Sequence, residues 1–139
     1  MAEAPSWHLP EPDPETAPYW EATREGRLTY KECLSCRQAF FYPRARCPRC
    51  WSVDTEWRDA SGDGTVHTFT VVHQNDLPPF KERVPYVVAL IDLEEGVRMT
   101  SNVEGCPPED VTCGMPVRLA WREESANGET FSIPVFHPR

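Results

Sequence analysis

The chain has 139 residues, which is enough for one ordinary domain or two very small ones. Its net charge is −8. With 40% hydrophobic and 26% charged residues it is not a disordered tail, and no apolar run approaches the roughly 20 residues that span a bilayer. The acidic balance also lowers the expectation of non-specific nucleic-acid binding, because such a chain repels phosphate backbones.

The N-terminal segment is acidic and rich in proline. It has no basic stretch followed by an apolar one, so we expect no signal peptide and a cytoplasmic location. Residues 1–15 are predicted to form an extended lead-in. In a reducing compartment, cysteines in CxxC pairs indicate metal or redox chemistry rather than disulfides.

A short helix is predicted next, over Ala17–Glu25. Thr16 is suited to cap its start, and Gly26 can end it in a left-handed conformation. A helix of this length is marginal in water by itself. We therefore expect Tyr19 and Trp20 to anchor it to a surface, either of its own domain or of a partner.

Four cysteines follow as Cys33-x2-Cys36 and, after ten residues, Cys47-x2-Cys50. Each CxxC places two thiolates on one turn, and two such turns face to face give a tetrahedral set of four sulfurs that suits zinc. Four protein ligands leave no open position, so the site is expected to be structural. Iron is the chemical alternative in such a site.

Every charged residue between the second and fourth cysteines is an arginine: Arg37, Arg44, Arg46 and Arg49. One interpretation is that they offset the charge of the metal–thiolate centre and donate to sulfur. The other is that they offer guanidinium forks to phosphate groups. The later loop 74–85, with Phe80, Lys81 and Arg83, could cover a ligand or be an ordinary loop.

Short strands are predicted over Leu28–Lys31 and Ala39–Tyr42, on either side of the first cysteine pair. After the turn signal Ser61-Gly62-Asp63-Gly64, the β pattern continues to the end of the chain. Five further strands are expected: Thr65–His73, Tyr86–Leu93, Val97–Val103, Pro116–Arg122 and Thr130–Phe136.

The predicted fold class is therefore mainly β: a short N-terminal helix, a zinc ribbon, then a five-stranded OB-like barrel. An SH3-like barrel or a sandwich fragment are the alternatives. We divide the chain into an N-terminal extension and helix (1–26), the ribbon (27–58) and the barrel (59–139). No glycine-rich nucleotide loop, nucleophile elbow or paired-carboxylate motif is present, which argues against an enzyme.

The pattern as a whole resembles the OB-fold family with an N-terminal rubredoxin-like zinc ribbon that is associated with acyl-CoA metabolism. The resemblance covers nearly everything from Tyr19 onward. It rests on these segments: Tyr19-Trp20-Glu21-Ala22, Cys33-Leu34-Ser35-Cys36, Tyr42-Pro43-Arg44, Cys47-Pro48-Arg49-Cys50, Ser61-Gly62-Asp63-Gly64-Thr65-Val66, Pro85-Tyr86-Val87-Val88-Ala89-Leu90-Ile91-Asp92, Gly114-Met115-Pro116-Val117 and Phe131-Ser132-Ile133-Pro134-Val135-Phe136.

This resemblance implies a small, non-catalytic zinc protein that works in a hetero-oligomer with a thiolase-like partner. Such partners include thiolases, hydroxymethylglutaryl-CoA synthase and the lipid-transfer-protein-like aldolases that shorten steroid side chains. Members are thought to hold the CoA ester near the partner's active site, and some are fused behind a hydratase-like domain. The candidate CoA contacts are Arg44, Arg46, Phe80, Lys81 and Arg83, and the candidate partner contacts are Tyr19 and Trp20.

Two other functions fit parts of the sequence less well. A single-strand nucleic-acid binder would use the same ribbon and barrel, but the barrel strands supply few cations beside Arg118 and Arg122. A free-standing acyl-CoA hydrolase would need a nucleophile and base that the sequence does not provide. We therefore expect neither nucleic-acid nor membrane binding.

Overall fold

The computed structural model describes residues 9–126 and 128–139. This part of the chain contains one α-helix, α1 (Ala17–Arg24), and eight strands: β1 (Thr29–Cys33), β2 (Ala39–Phe40), β3 (Thr55–Asp59), β4 (Asp63–Val72), β5 (Tyr86–Leu93), β6 (Arg98–Val103), β7 (Pro116–Ala126) and β8 (Glu129–Pro138). The lead-in expected over residues 1–15 lies partly outside the described residues, and the division of the chain into three segments stays a prediction.

Helix α1 begins and ends close to where the sequence predicts. Thr16 occupies the capping position, but its side chain makes no capping bond; instead the Asp13 carboxylate accepts the Thr16 N–H at 2.9 Å. At the other end Gly26 has φ +76°, and the Arg27 N–H donates to the Ala22 carbonyl at 2.9 Å. The left-handed glycine thus closes the helix as expected.

The ribbon forms a three-stranded antiparallel sheet in the order β2–β1–β3. Strand β3 was not predicted, because it shows no alternation of apolar and polar residues; Trp57 at its centre is its single hydrophobic residue. It pairs with the whole of β1, and Lys31 lies opposite Trp57 with its Nζ 4.9 Å from the centre of the indole ring. A tertiary partner rather than a local pattern therefore makes this segment a strand.

The last five strands close into a barrel in the order β4–β5–β6–β8–β7, with β7 pairing back onto β4. Closure between β6 and β8 uses a parallel contact at Val103 and Phe136. The mainly β fold class, with a short helix, a ribbon-like cysteine cluster and a five-stranded barrel, is confirmed. Alternate residues of β5 point inward, and the barrel core is formed by Val66, Val87, Ala89, Ile91, Leu93, Met99, Val103, Val117 and Phe136.

The same part of the chain has no helix with the length and apolar character needed to cross a membrane.

Candidate metal centre and adjoining surface

The four ribbon cysteines converge on one point. Their Sγ atoms all lie within 4.8 Å of one another. The Cys33 and Cys50 sulfurs are 3.5 Å apart, and those of Cys36 and Cys47 are 3.7 Å apart. A tetrahedron of sulfurs about 2.3 Å from a central zinc has edges of about 3.8 Å. The donor set and its spacing therefore fit a tetrahedral metal ion.

Both cysteine turns have the same local geometry. In each, the N–H of the first cysteine donates to a carbonyl five residues on: Cys33 to Gln38 and Cys47 to Ser52, both at 2.9 Å. The residue after the second cysteine of each pair has a left-handed backbone, with φ +61° at Arg37 and φ +66° at Trp51. The repeated CxxC motif thus builds two equivalent turns that meet at the sulfurs.

Backbone amides prepare the first cysteine of each pair to ionise. The N–H of Cys36 holds the pKa of the Cys33 thiol down at about 6, and the N–H of Cys50 lowers the pKa of Cys47 in the same way. The pKa of the Cys36 thiol shifts the other way, to about 11. The N–H of Gln38 lowers this pKa, but burial and the neighbouring sulfurs together raise it by more. A divalent cation allows such crowded thiols to ionise together.

This cluster has its own small core, separate from that of the barrel. Cys33 and Cys47 are fully buried, and Phe40 packs beside them. So few apolar side chains contribute little burial free energy, and segments of this size ordinarily need a metal or disulfides to fold. A metal ion bound by the four sulfurs would therefore supply order that the apolar side chains around the cysteines do not.

The ribbon arginines face solvent rather than the sulfurs. Among the described residues none of their guanidinium groups donates to a cysteine; that position is taken by backbone N–H groups such as that of Arg49, 3.4 Å from the Cys47 sulfur. Arg46 donates to the Trp51 carbonyl at 3.1 Å, and Arg37 lies 3.8 Å from Glu32. The interpretation in which the arginine side chains donate to sulfur therefore has no support among the described residues.

Arg44 and Arg46 share one depression of about 550 Å³ at the edge of the ribbon. Tyr42 and Trp51 form part of its wall, and the acids Asp13 and Glu15 also line it. Lys31 is buried behind Arg44 and donates its Nζ to the Arg44 carbonyl at 3.0 Å. This buried cation fixes the backbone from which Arg44 projects.

An apolar groove of about 660 Å³ runs where helix, ribbon and barrel meet. Tyr42 borders it as well, so the groove adjoins the depression that contains Arg44 and Arg46. Phe80 lies on the barrel side. The other lining side chains include Trp20, Phe41, Tyr86, Val88, Met99, Ile133 and Pro134.

The two aromatic residues of α1 anchor the helix to this chain. Tyr19 is only 2% exposed, and its ring centre lies 5.8 Å from that of Phe41 and 5.6 Å from that of Tyr42. Trp20 packs edge-on against Phe131 of β8 at 5.7 Å and remains partly exposed. Tyr19 is therefore too buried to contact a partner, whereas the exposed part of Trp20 is accessible to one.

Arg83 is held by a buried carboxylate. Its two terminal nitrogens lie 2.6 and 3.0 Å from the oxygens of Glu124, which is 5% exposed and also accepts from Arg122. This bidentate pair fastens the loop after β4 to β7. Lys81 lies in the intervening 3₁₀ turn, Phe80–Glu82, and is exposed. Of the predicted loop contacts, Phe80 faces the groove, while the charge of Arg83 is matched within the chain.

Tyr42 and Trp51 are exposed aromatic residues that the sequence did not single out. Tyr42 is 40% exposed at the junction of the two depressions, and Trp51 is 71% exposed. For Trp51 the available signal was its place directly after a CxxC turn. Glycine is favoured there because the backbone is left-handed, so a bulky residue at that position is unusual.

Comparison with known proteins finds two family models that together cover most of the chain. The model described as ChsH2, rubredoxin-like zinc ribbon domain, matches residues 20–56. The model described as ChsH2, C-terminal OB-fold domain, matches residues 57–122.

Curated relatives are of two lengths. A "DUF35 domain-containing scaffold protein" of Methanothermobacter thermautotrophicus is 37% identical over 73% of this chain and 77% of its own length. The "Probable enoyl-CoA hydratase alpha subunit" of Thermomonospora curvata is 37% identical over 86% of this chain, which spans only 36% of that protein. The "Benzoylsuccinyl-CoA thiolase subunit BbsA" of Thauera aromatica is 31% identical over 63% of this chain and 60% of its own.

Among solved structures, a chain of the "Ltp2-ChsH2(DUF35) aldolase" superposes with a TM-score of 0.80 at 35% identity. The match covers 94% of this chain and 98% of that one, so helix, ribbon and barrel are all part of the likeness.

The first prediction concerns the cysteine cluster. Replacing Cys33 by serine should remove most of the bound metal and lower the melting temperature of the ribbon, because a buried ligand and its metal bonds are lost together. Metal analysis and thermal unfolding of the full chain measure both effects.

The matched control is Cys113→Ser, at an exposed cysteine outside the cluster. It should retain wild-type metal content and stability. A Cys33→Ser chain that kept both would show that the cluster is not the metal site.

The second prediction concerns the Arg83–Glu124 pair. Burial alone would raise the pKa of the Glu124 carboxyl, but the hydrogen bonds from Arg83 and the charges of Arg83 and Arg122 hold this pKa below its ordinary value. A depressed folded-state pKa stabilises the fold above the unfolded pKa, and this contribution is lost as the pH falls through the folded one. Glu124→Gln should therefore cost about 1–3 kcal/mol near neutral pH, with the difference from wild type shrinking on acidification.

Denaturant unfolding at several pH values measures this difference. Glu123→Gln, the neighbouring acid on β7, is the control and should change stability little at any pH. A Glu124→Gln penalty that persisted unchanged into acid would contradict the charged-pair account.

Proposed function

The chain belongs to the ChsH2 family of zinc-ribbon and OB-fold proteins, and from this premise we propose that it is a non-catalytic subunit of a thiolase-like enzyme that acts on acyl-CoA. The observation that carries this proposal is the match over 94% of the chain to a subunit of an aldolase complex. The likeness to a named thiolase subunit supports the same role. The partner would be a thiolase or a lipid-transfer-protein-like aldolase, and the complex a hetero-oligomer.

The metal that fits this role is zinc, held by Cys33, Cys36, Cys47 and Cys50. When bound it supplies structural order and no reaction chemistry, since all four positions are filled by thiolates. Iron would fit the same sulfurs and is distinguished from zinc by metal analysis. The chain's own contribution is the arrangement of backbone amides that favours ionised cysteines.

The polar groups of the described residues support a subunit without catalytic residues of its own. The most enzyme-like pair, His67 and Asp92, faces Arg98: the His67 Nδ1 lies 3.2 Å from Asp92 and 3.1 Å from the Arg98 guanidinium. That contact offers the imidazole a cation rather than a nucleophile to activate. Carbon–carbon bond cleavage or formation is therefore assigned to the partner.

The CoA ester would lie along the two adjoining depressions. Arg44 and Arg46 are exposed and suited to its phosphates. The groove beside them, with Phe80 on its far side, is suited to the less polar arm of the ligand. Lys81 remains a candidate phosphate contact, whereas Arg83 orders the loop that presents Phe80.

The third prediction tests the complex. The tagged chain, purified from the cell that makes it, should bring down a thiolase-like protein that mass spectrometry identifies. The chain alone should show no turnover, whereas adding it to the isolated partner should restore cleavage or formation of an acyl-CoA and raise the partner's melting temperature. A partner that is fully stable and active alone would refute the proposal.

An Arg44→Ala variant separates CoA binding from partner binding, because Arg44 lines the depression without holding Trp51. If Arg44 holds a CoA phosphate, the complex should form normally and its KM for the acyl-CoA should rise with little change in kcat. Equal kinetics would remove Arg44 from the CoA site. Binding of single-stranded oligonucleotides that weakened with salt would instead favour a nucleic-acid role.

A further inference from the structure

The tip of the second cysteine turn projects an aromatic side chain into solvent. Trp51 is 71% exposed and Val53, two residues on, is 64% exposed. Neighbouring exposed apolar side chains of this size mark a candidate contact with another molecule. Trp51 also borders the depression that contains Arg44 and Arg46, but most of its side chain is open to solvent beyond that edge. The exposed part is available to a pocket on another protein.

The backbone at Trp51 is held in a conformation that a tryptophan does not favour. Its φ is +66°, in the left-handed region where glycine is ordinarily preferred. Two hydrogen bonds hold it there: the Trp51 N–H donates to the Cys47 carbonyl at 3.0 Å, and Arg46 donates to the Trp51 carbonyl at 3.1 Å. The backbone from which the indole projects is thereby fixed, so no backbone ordering has to accompany binding.

Positive charge lies on the cysteine turn that ends at this tip, although the whole chain has a net charge of −8 and Asp54 follows Val53 directly. Arg46 and Arg49 flank Trp51 on the same turn and are exposed. Tryptophan and arginine are the residues most often found at the centres of protein interfaces. The complementary surface is an apolar pocket for one indole ring, bordered by carboxylates.

We propose that Trp51, with Val53 and Arg49 beside it, is the principal contact through which this chain binds its thiolase-like partner. This assignment rests on the proposed function and adds to it the surface that docks. It moves the partner contact from the helix residues Tyr19 and Trp20 to the ribbon, where the bound metal fixes it. The partner is expected to present acidic residues around a hydrophobic pocket.

The test is Trp51→Gly. Glycine suits the left-handed backbone, so the variant should retain its metal and melt no lower than wild type, while its affinity for the partner captured from the native cell falls at least about tenfold. The matched control is Arg37→Gly, at the equivalent position of the first turn, which should bind within about twofold of wild type. Calorimetry or surface plasmon resonance measures the affinities.

The outcomes are distinct. If Trp51→Gly keeps its fold and binds the partner as wild type does, the docking assignment is overturned while the proposed function stands. If both glycine variants bind equally weakly, the loss is not specific to the indole and the assignment also fails. If the wild-type chain captures no thiolase-like protein, the proposed function fails and the docking assignment with it.

Discussion

The mutual approach of four thiolates is the constraint on which the ribbon depends. With all four sulfurs inside 4.8 Å, they can ionise together only when a cation lies among them, because thiolates at this distance repel one another. A bound metal would stabilise the cysteine end of the ribbon, where Phe40 and two buried cysteines form a very small core, whereas Tyr30, Phe41 and Trp57 pack on the main core. The positions of the side chains that the cysteine end of the ribbon exposes to solvent therefore depend on the four cysteines.

Both surfaces with proposed roles follow from this constraint. Phe41 and Tyr42 come directly after β2 and contact Tyr19, so they form one wall of the apolar groove only while β2 is in place. Trp51 comes directly after Cys50, and its backbone bond to Cys47 sets its position. A metal held by the four cysteines would be structural, yet both the groove and the proposed docking tip would depend on it.

The features that could be predicted from the sequence are those with local signals. The CxxC pairs, the nearly continuous apolar run from Tyr86 to Leu93 and the glycine that ends α1 are all local signals, and the structure confirms each of them. Strand β3 could not be predicted, because it pairs with β1, more than twenty residues earlier. The pairing of Arg83 with Glu124, 41 residues apart, is likewise a product of barrel closure and is invisible to a local pattern.

The central claim is that metal bound by the four cysteines orders the ribbon and leaves the barrel to its own core. Amide hydrogen exchange of the metal-loaded full chain, before and after removal of the metal by a chelator, tests this most directly. Peptides that cover residues 29–59 should lose their protection, while those from Tyr86–Leu93 and Arg98–Val103 keep theirs. Ribbon peptides that remained protected after complete metal loss would contradict the account.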